Sequence, residues 1–491
     1  MLTNTTSGVG LCCLALSSLL GNKVSFPNTP QYTSSLTSYF SQQNSNLHPL
    51  CVVSPTTPAD ISTAITSITT TSKFLPPNAN SQSQCHFALR SGGHTTFGGA
   101  SNINNGITFD LSALNSTVVS DDRTTVSVGV GATWGDVYTY LEPLGLAVAG
   151  GRAAQVGVGG LTLGGGISYF SPRYGWTCDT VAAFEVVLSN GTIIHVTDAE
   201  NPDLAVALRG GGSNFGVITR VELRAFEQGP VWGGSVYYSL ETVDAQLRAF
   251  SELNGGGDGD GYDEFASLIT SFGYAAGTGA GVVNSIVYTR EEERPAVFEK
   301  FFEMPVVDSS MRVAGMREIA EEQGSFSPDG RRQMMVVTTH GSTVSMLNAT
   351  YLRWNSSLAS IEAVPGIVWS ISLEPLPPSI YARAPRKNSL GLGDGTEPLV
   401  VTLLSASWDD EADDARVEDA ARGLFQGIEQ DARRLDSYEP FVYLNYAAEW
   451  QDPVASYGRE SVEKLQRVSR DVDPKAVFRT NMPGGFKIPE Q

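Results

Sequence analysis

The stretches Phe87-Ala-Leu-Arg90-Ser-Gly-Gly-His94 and Val156-Gly-Val-Gly-Gly160-Leu-Thr-Leu-Gly-Gly-Gly166 decide how this chain is read. In the first, a short β-rich run ends in two glycines and a histidine. Gly98-Gly99 follows it, Gly150-Gly151 precedes the second stretch, and Arg209-Gly-Gly-Gly212 comes after. Glycines this close together let backbone N–H groups converge on a polyanion with no Cβ in the way. One such cluster is a tight turn. Four in one half of a chain are costly in backbone entropy unless a ligand orders them. The functional reading is a bound dinucleotide or diphosphate; the structural one is glycine-rich barrel corners.

His94 adds to the functional reading. The chain has 5 histidines, and this one stands inside the best anion-loop candidate. Other cofactor and catalytic signatures are missing. After Gly157-x-Gly159 the position a dinucleotide fingerprint needs as glycine is Thr162. There is no G-x-x-x-x-G-K-[ST], H-E-x-x-H or G-x-S-x-G, which argues against a P-loop, a zincin and an α/β-hydrolase.

The chain has 491 residues, enough for two or three domains and a large core. With 32 basic and 52 acidic side chains the formal charge is −20, a field that repels nucleic acid. Residues 1–228 carry only −4 of it, and 229–491 carry −16. The first part is Gly/Ser/Thr/Asn-rich and the second is charged, so a boundary is expected near 228. In the first part, Thr57-Pro-Ala-Asp60 reads as a capped helix start, with Ile61, Ile65 and Ile68 at helical spacing. Phe87 to Arg90, Val126 to Val130 and Phe215 to Leu223 read as strands. Thr133-Trp-Gly-Asp136 opens a helix, and Asn190-Gly191 turns a hairpin. In the second part, strands at 234–240, 334–339, 367–373 and 399–404 alternate with helices, the clearest being Glu411 to Leu435. From Tyr438 a strand, a helix at 461–470 and an extended tail are expected. The fold class is α+β, with helices packed on one face of an antiparallel sheet.

Gly8 to Gly21 is too short to span a bilayer and has no basic residue before it, so a buried N-terminal helix is expected there, within an N-terminal helical segment at 1–44. Five cysteines are too few for a disulfide scaffold or a zinc site; one bridge, from Cys12 or Cys13 to Cys51, suits an oxidising compartment. Sequons stand at Asn4, Asn115, Asn190, Asn348 and Asn355. The location is the secretory lumen or outside if a leader precedes this start, and the cytoplasm otherwise. Asn254 to Gly261 resembles half a calcium loop, but its twelfth position is Ile269, so it reads as a surface turn and no metal is expected.

Further stretches complete the pattern: Tyr174-Gly-Trp-Thr-Cys-Asp179, Asn201-Pro-Asp-Leu204, Asn214-Phe-Gly216, Tyr443-Leu-Asn-Tyr446 and Pro483-Gly-Gly-Phe486. With them the chain resembles the berberine-bridge-enzyme-like, oxygen-dependent FAD-linked oxidoreductases with a PCMH-type flavin domain, and Cys12-Cys13, Pro49-Leu-Cys51 and Ser38-Tyr-Phe-Ser41 resemble their fungal secondary-metabolite branch. The resemblance runs from about residue 50 to the C-terminus. It implies a flavin domain at 45–228, a substrate domain at 229–437, and a return to the flavin domain at 438–491. It makes His94 the residue bonded to the FAD 8α-methyl. In the same motif it places Arg90, Ser91, Gly92, Gly93, Thr95 and Gly98 at the cofactor. In the glycine run it places Gly157, Gly160, Leu161, Gly164, Gly165 and Gly166 there, and beyond it Asp179, Gly216, Val217, Ile218 and Asn445. Ala153 occupies the position of a second, cysteinyl bond in many members, so a single bond is expected.

The resemblance also makes Tyr446 the proton acceptor, with Tyr443 beside it and Glu374 as a second base candidate. An ordinary tyrosine has a pKa of about 10, so its surroundings must help it act as a base. In a regular strand Tyr446 would face away from Tyr443 and Asn445. The expected activity is hydride transfer from a small metabolite alcohol, phenol or amine to FAD, with O2 as acceptor and H2O2 as product. The alternatives are a carbohydrate or oligosaccharide oxidase, and a non-redox flavin-assisted cyclase or flavin-binding protein. A monomer with no membrane or nucleic-acid partner is expected.

Overall fold

Thr57 and Asp60 cap each other's backbone in the computed structural model, and the helix Pro58–Thr71 follows as the sequence predicts. Thr133 and Asp136 do the same for Trp134–Leu141. The structure describes residues 8–71, 85–255, 261–383, 387–393 and 395–490. Most of the calcium-like turn and the Asn4 sequon lie outside them.

The architecture is mixed α+β. A first sheet of 4 strands has Ile107–Asp110 between Cys51–Val53 and Phe87–Arg90, parallel to both. A second sheet of 5 strands is antiparallel, with Val217–Arg224 at its centre. The Asn190-Gly191 hairpin forms its edge, and Gly191 takes the left-handed conformation (φ 82°) that such a turn requires. The histidine loop follows Phe87–Arg90 of the first sheet, and the glycine run precedes Val181–Val187 of the second.

The N-terminal helix Gly8–Leu20 buries Cys12, Cys13 and Leu16 and exposes Leu11, Leu14 and Leu19. The single expected disulfide becomes two, Cys13–Cys51 and Cys12–Cys85. Neighbouring residues on a helix point about 100° apart. The paired cysteines therefore reach different partners, one on the strand Cys51–Val53 and one just before Phe87–Arg90. Cys178 is free and buried.

The third sheet has 9 strands and is antiparallel. Its central strand Val368–Leu376 alternates. In Val368–Leu376, Trp369, Ile371 and Leu373 enter a core shared with the helices Val243–Asn254, Val344–Ile361 and Asp414–Arg434. Ser370, Ser372 and Glu374 face the other way. Four of its strands, Ala266–Ala275, Gly279–Tyr288, Val306–Ser309 and Arg312–Ala314, are not among those the sequence predicts. The expected strand from Tyr438 lasts only for Tyr438–Glu439, and the helix after it is longer, Gly458–Val472.

Candidate active site

Between the glycine loops and the serine-bearing face of the third sheet lies a cavity of about 720 Å³. Its floor comes from residues 91–97, 152–163 and 212–218, and its roof from the sheet. The two decisive stretches meet at their glycines. A Cβ on Gly92 would lie 2.6 Å from Gly157 N, and one on Gly157 would lie 2.3 Å from Gly92 N, so neither position admits a side chain. Ser91 pins the crossing, accepting from Gly159 N at 3.2 Å and donating to Val130 O at 2.5 Å. Gly160, one helical residue further on, is different. A Cβ there meets nothing within 4 Å, because it opens onto the cavity.

His94 lines the cavity with its ring stacked on Phe40, centroids 3.8 Å apart and planes 11° apart. Its Nε2 is buried with no hydrogen-bond partner. Burial lowers its pKa to about 4, against the pull of a hydrogen bond to its own backbone, so the imidazole is neutral at neutral pH.

Three polar side chains converge on the other wall. Arg152 Nη2 donates to Glu374 Oε2 at 2.7 Å and to Tyr446 Oη at 2.6 Å. Tyr446 Oη donates to Glu374 Oε1 at 3.3 Å, which closes a triangle. Burial works against the charge of Arg152, yet Glu374 and Tyr446 hold its pKa above the ordinary value. Burial pushes Tyr446 well above the usual phenol value, and Arg152 pulls the other way. Arg152 and Glu374 are the only charged pair among the described residues of the cavity wall, so the chamber is close to neutral.

The segment Leu444–Tyr446 is a 3-10 turn and not a strand. That turn brings Tyr443, Asn445 and Tyr446 to one place. Tyr443 Oη accepts from Gly166 N at 3.0 Å, Ile167 N at 3.1 Å and Asn445 Nδ2 at 3.0 Å, and burial raises its pKa. It thus holds the end of the glycine run, while Asn445 also donates to Leu161 O at 2.9 Å. Ser91, Gly92, Gly93, Thr95, Gly157, Leu161, Gly216, Val217 and Ile218 also line the cavity.

Other expected residues stand back from the wall. Arg90 runs beneath the loop to Ser35 O, Ser38 O and the Tyr39 ring. Asp179 is buried against Trp176 N and Asn388, and burial raises its pKa to about 6. Gly98, Gly164, Gly165 and Gly166 support the loops from behind, Gly164 against the Asn445 side chain.

Residues 49–197 match the FAD binding domain family. The FAD-dependent monooxygenase sdcF of Emericella nidulans is 34% identical over 487 residues, which make up 97% of this chain and 98% of that protein. This chain belongs to the berberine-bridge-like FAD-linked oxidoreductases. Oligopeptidase PhomG' of Diaporthe leptostromiformis is 40% identical over 475 residues, 95% of this chain and 36% of that longer protein. A glucooligosaccharide oxidase from Acremonium strictum has the same fold, with a TM-score of 0.76 at 18% identity and 98% of each chain covered.

As a member of this family the chain is an FAD-dependent enzyme, and its residues fit the cofactor. The glycine crossing clears a backbone cradle, Gly160 leaves open space, and the neutral His94 ring has an unpartnered nitrogen. The sequence reading overlooked Arg152. Its signal was a lone cation in the apolar run Leu146-Ala-Val-Ala-Gly-Gly-Arg152-Ala-Ala. It overlooked the cavity-facing serines too.

Proposed function

We propose that this flavoenzyme is an oxidase of a neutral, hydroxyl-bearing molecule. The Arg152–Glu374–Tyr446 triangle carries the reading. Arg152 occupies one lone pair of Tyr446 Oη, and the phenolic proton is committed to Glu374. The remaining lone pair is the acceptor that a substrate hydroxyl would meet. Because burial holds the Tyr446 pKa high, the phenol cannot sit deprotonated in advance. It takes the substrate O–H proton as it hands its own to Glu374 Oε1, a shuttle that leaves Tyr446 neutral throughout. FAD, bound through His94 alone with Ala153 at the second position, would accept the hydride from the same carbon and pass two electrons to O2, giving H2O2. The Acremonium strictum oxidase is described with both a cysteinyl and a histidyl link; alanine at residue 153 supports a single one here.

The roof favours a hydroxyl-rich substrate of the sugar or oligosaccharide class. Ser271, Ser285, Ser370, Ser372 and Ser405 present hydroxyls to the cavity, and Gly273 and Gly281 leave space between them. Chitooligosaccharide and xylooligosaccharide oxidases share the fold. A small metabolite alcohol, phenol or amine is the second reading. The exposed apolar side chains Val307 and Phe326 at the cavity wall favour it. Relatives are named FAD-dependent monooxygenases, which makes oxygen transfer to the substrate an outcome to score. A panel of oligosaccharides, metabolite alcohols, phenols and amines, scored for both peroxide and oxygenated product, tests the assignment. Flavin reduction by none of them under anaerobic conditions would remove it.

A further inference from the structure

We propose that Phe40, carried on residues 38–44, is a positioning residue that orients His94 for covalent attachment of FAD. The inference rests on the reading that His94 forms that bond.

A histidine after two glycines has little local restraint, since neither Gly92 nor Gly93 carries a side chain and Gly93 sits at φ 71°. The restraint comes from a distant part of the chain. Phe40, 2% exposed, lies flat on the imidazole and fixes the plane of the ring. The same segment grips the loop on both sides of the histidine. Phe40 N donates to Gly93 O at 3.2 Å, Ser41 Oγ to Thr95 O at 3.0 Å, and Asn44 Nδ2 to Thr95 O at 2.8 Å and Phe97 O at 2.9 Å. Tyr39 blocks the space beside Gly93, 2.9 Å from where a Cβ would stand.

The segment is itself anchored to the substrate-side sheet. Gly330 N donates to Phe40 O at 2.8 Å, Gln42 N to Arg331 O at 2.9 Å, and Gln43 Nε2 to Gln333 O at 2.8 Å. It is therefore a clasp between the histidine loop and the roof, and Phe40 is its contact with the reacting ring.

Attachment replaces one imidazole N–H and one flavin 8α C–H with an N–C bond. It releases two electrons and two protons, which O2 accepts to become H2O2. The imidazole must be neutral to attack and held in line with the methyl group. Losing that alignment slows such a step by roughly 10- to 100-fold.

The test uses the purified protein, Phe40→Leu, Phe40→Ala and Phe40→Trp, each incubated with excess FAD. Samples are taken over time, precipitated with acid, and the flavin in pellet and supernatant is measured; bound flavin per chain is measured before acid. The expected result is full covalent loading of the parent protein. Phe40→Leu, which keeps apolar bulk without a flat face, should bind FAD but attach it roughly 10- to 100-fold more slowly. Phe40→Trp should restore attachment. Equal attachment rates in Phe40→Leu and the parent would overturn the proposal, whether or not Phe40→Ala folds. If the parent itself releases its yellow colour in acid, the covalent reading fails and the proposal goes with it.

Discussion

Adding a methyl group at Gly160 should strengthen the FAD-free protein and weaken its hold on FAD. Gly160 lies within the short helix Val158–Leu163, and a Cβ there has no neighbour within 4 Å. Alanine is favoured over glycine inside a helix by about 1 kcal/mol, worth about 1 °C in melting temperature for a chain of 491 residues. The same methyl projects into the cavity. Overfilling a packed contact costs about 1–3 kcal/mol, or roughly 5- to 150-fold in affinity. Gly157→Ala is the contrast. Its Cβ would stand 2.3 Å from Gly92 N and 2.7 Å from Gly92 Cα, closer than real Cβ atoms come, so the two loops must part. It should lose stability and affinity together, with melting about 1–3 °C lower. Both substitutions are made with His94→Ala, so that FAD is exchangeable. Thermal melts of the FAD-free proteins and fluorescence titrations with FAD read the two effects. Undiminished FAD affinity in Gly160→Ala, or a lower FAD-free melting temperature, would refute the placement of Gly160 on the cofactor wall.

Three further outcomes are expected. Tyr446→Phe keeps the yellow protein but slows anaerobic flavin reduction about 10²- to 10⁴-fold, since the proton acceptor is gone; reduction at the parent rate would acquit it. Burial lowers the pKa of His340 to about 4, while the unfolded chain has the ordinary 6.5. The unfolded state then binds the extra proton, so this stabilisation is full above about 6.5 and is lost as pH falls towards 4. It amounts to about 3 kcal/mol, and urea midpoints across that range should show an acid limb that flattens in His340→Gln. Breaking Cys13–Cys51 by Cys51→Ala costs about 2–4 kcal/mol, read as a melting temperature that no longer responds to reductant as far as the parent's does.

Local sequence made the first part of the chain readable because its elements carry their own punctuation. Thr57, Thr133 and Asn190-Gly191 each specify a backbone event within a few residues. The strands Ala266–Ala275 and Gly279–Tyr288 lacked that contrast. Their cavity-facing side carries serine and glycine, so hydrophobic alternation is diluted along the cavity wall. The Tyr443 to Tyr446 problem had the same root. Strand periodicity separated the side chains, and only a 3-10 turn, fixed by tertiary bonds to Gly166 and Leu161, reunites them. Cysteine spacing left the connectivity open because adjacent cysteines on one helix diverge, which spacing does not encode. Arg152 pairs with residues more than 200 positions away, at 374 and 446, and no local pattern announces such a partner.

The alternation of the nine-stranded sheet also bears on how this protein can change. Ser271, Ser285, Ser370, Ser372 and Ser405 share strands with Phe272, Ile286, Ile371 and Leu404, yet point to opposite sides. On the proposed reading, a substitution at one of these serines changes the chamber wall while the core side chains of the same strand keep their places. Each such position is a tuning point separated from the folding core by one peptide unit. On that reading substrate choice can shift there one residue at a time, while Gly92 and Gly157 on the opposite wall, in backbone contact, admit no side chain.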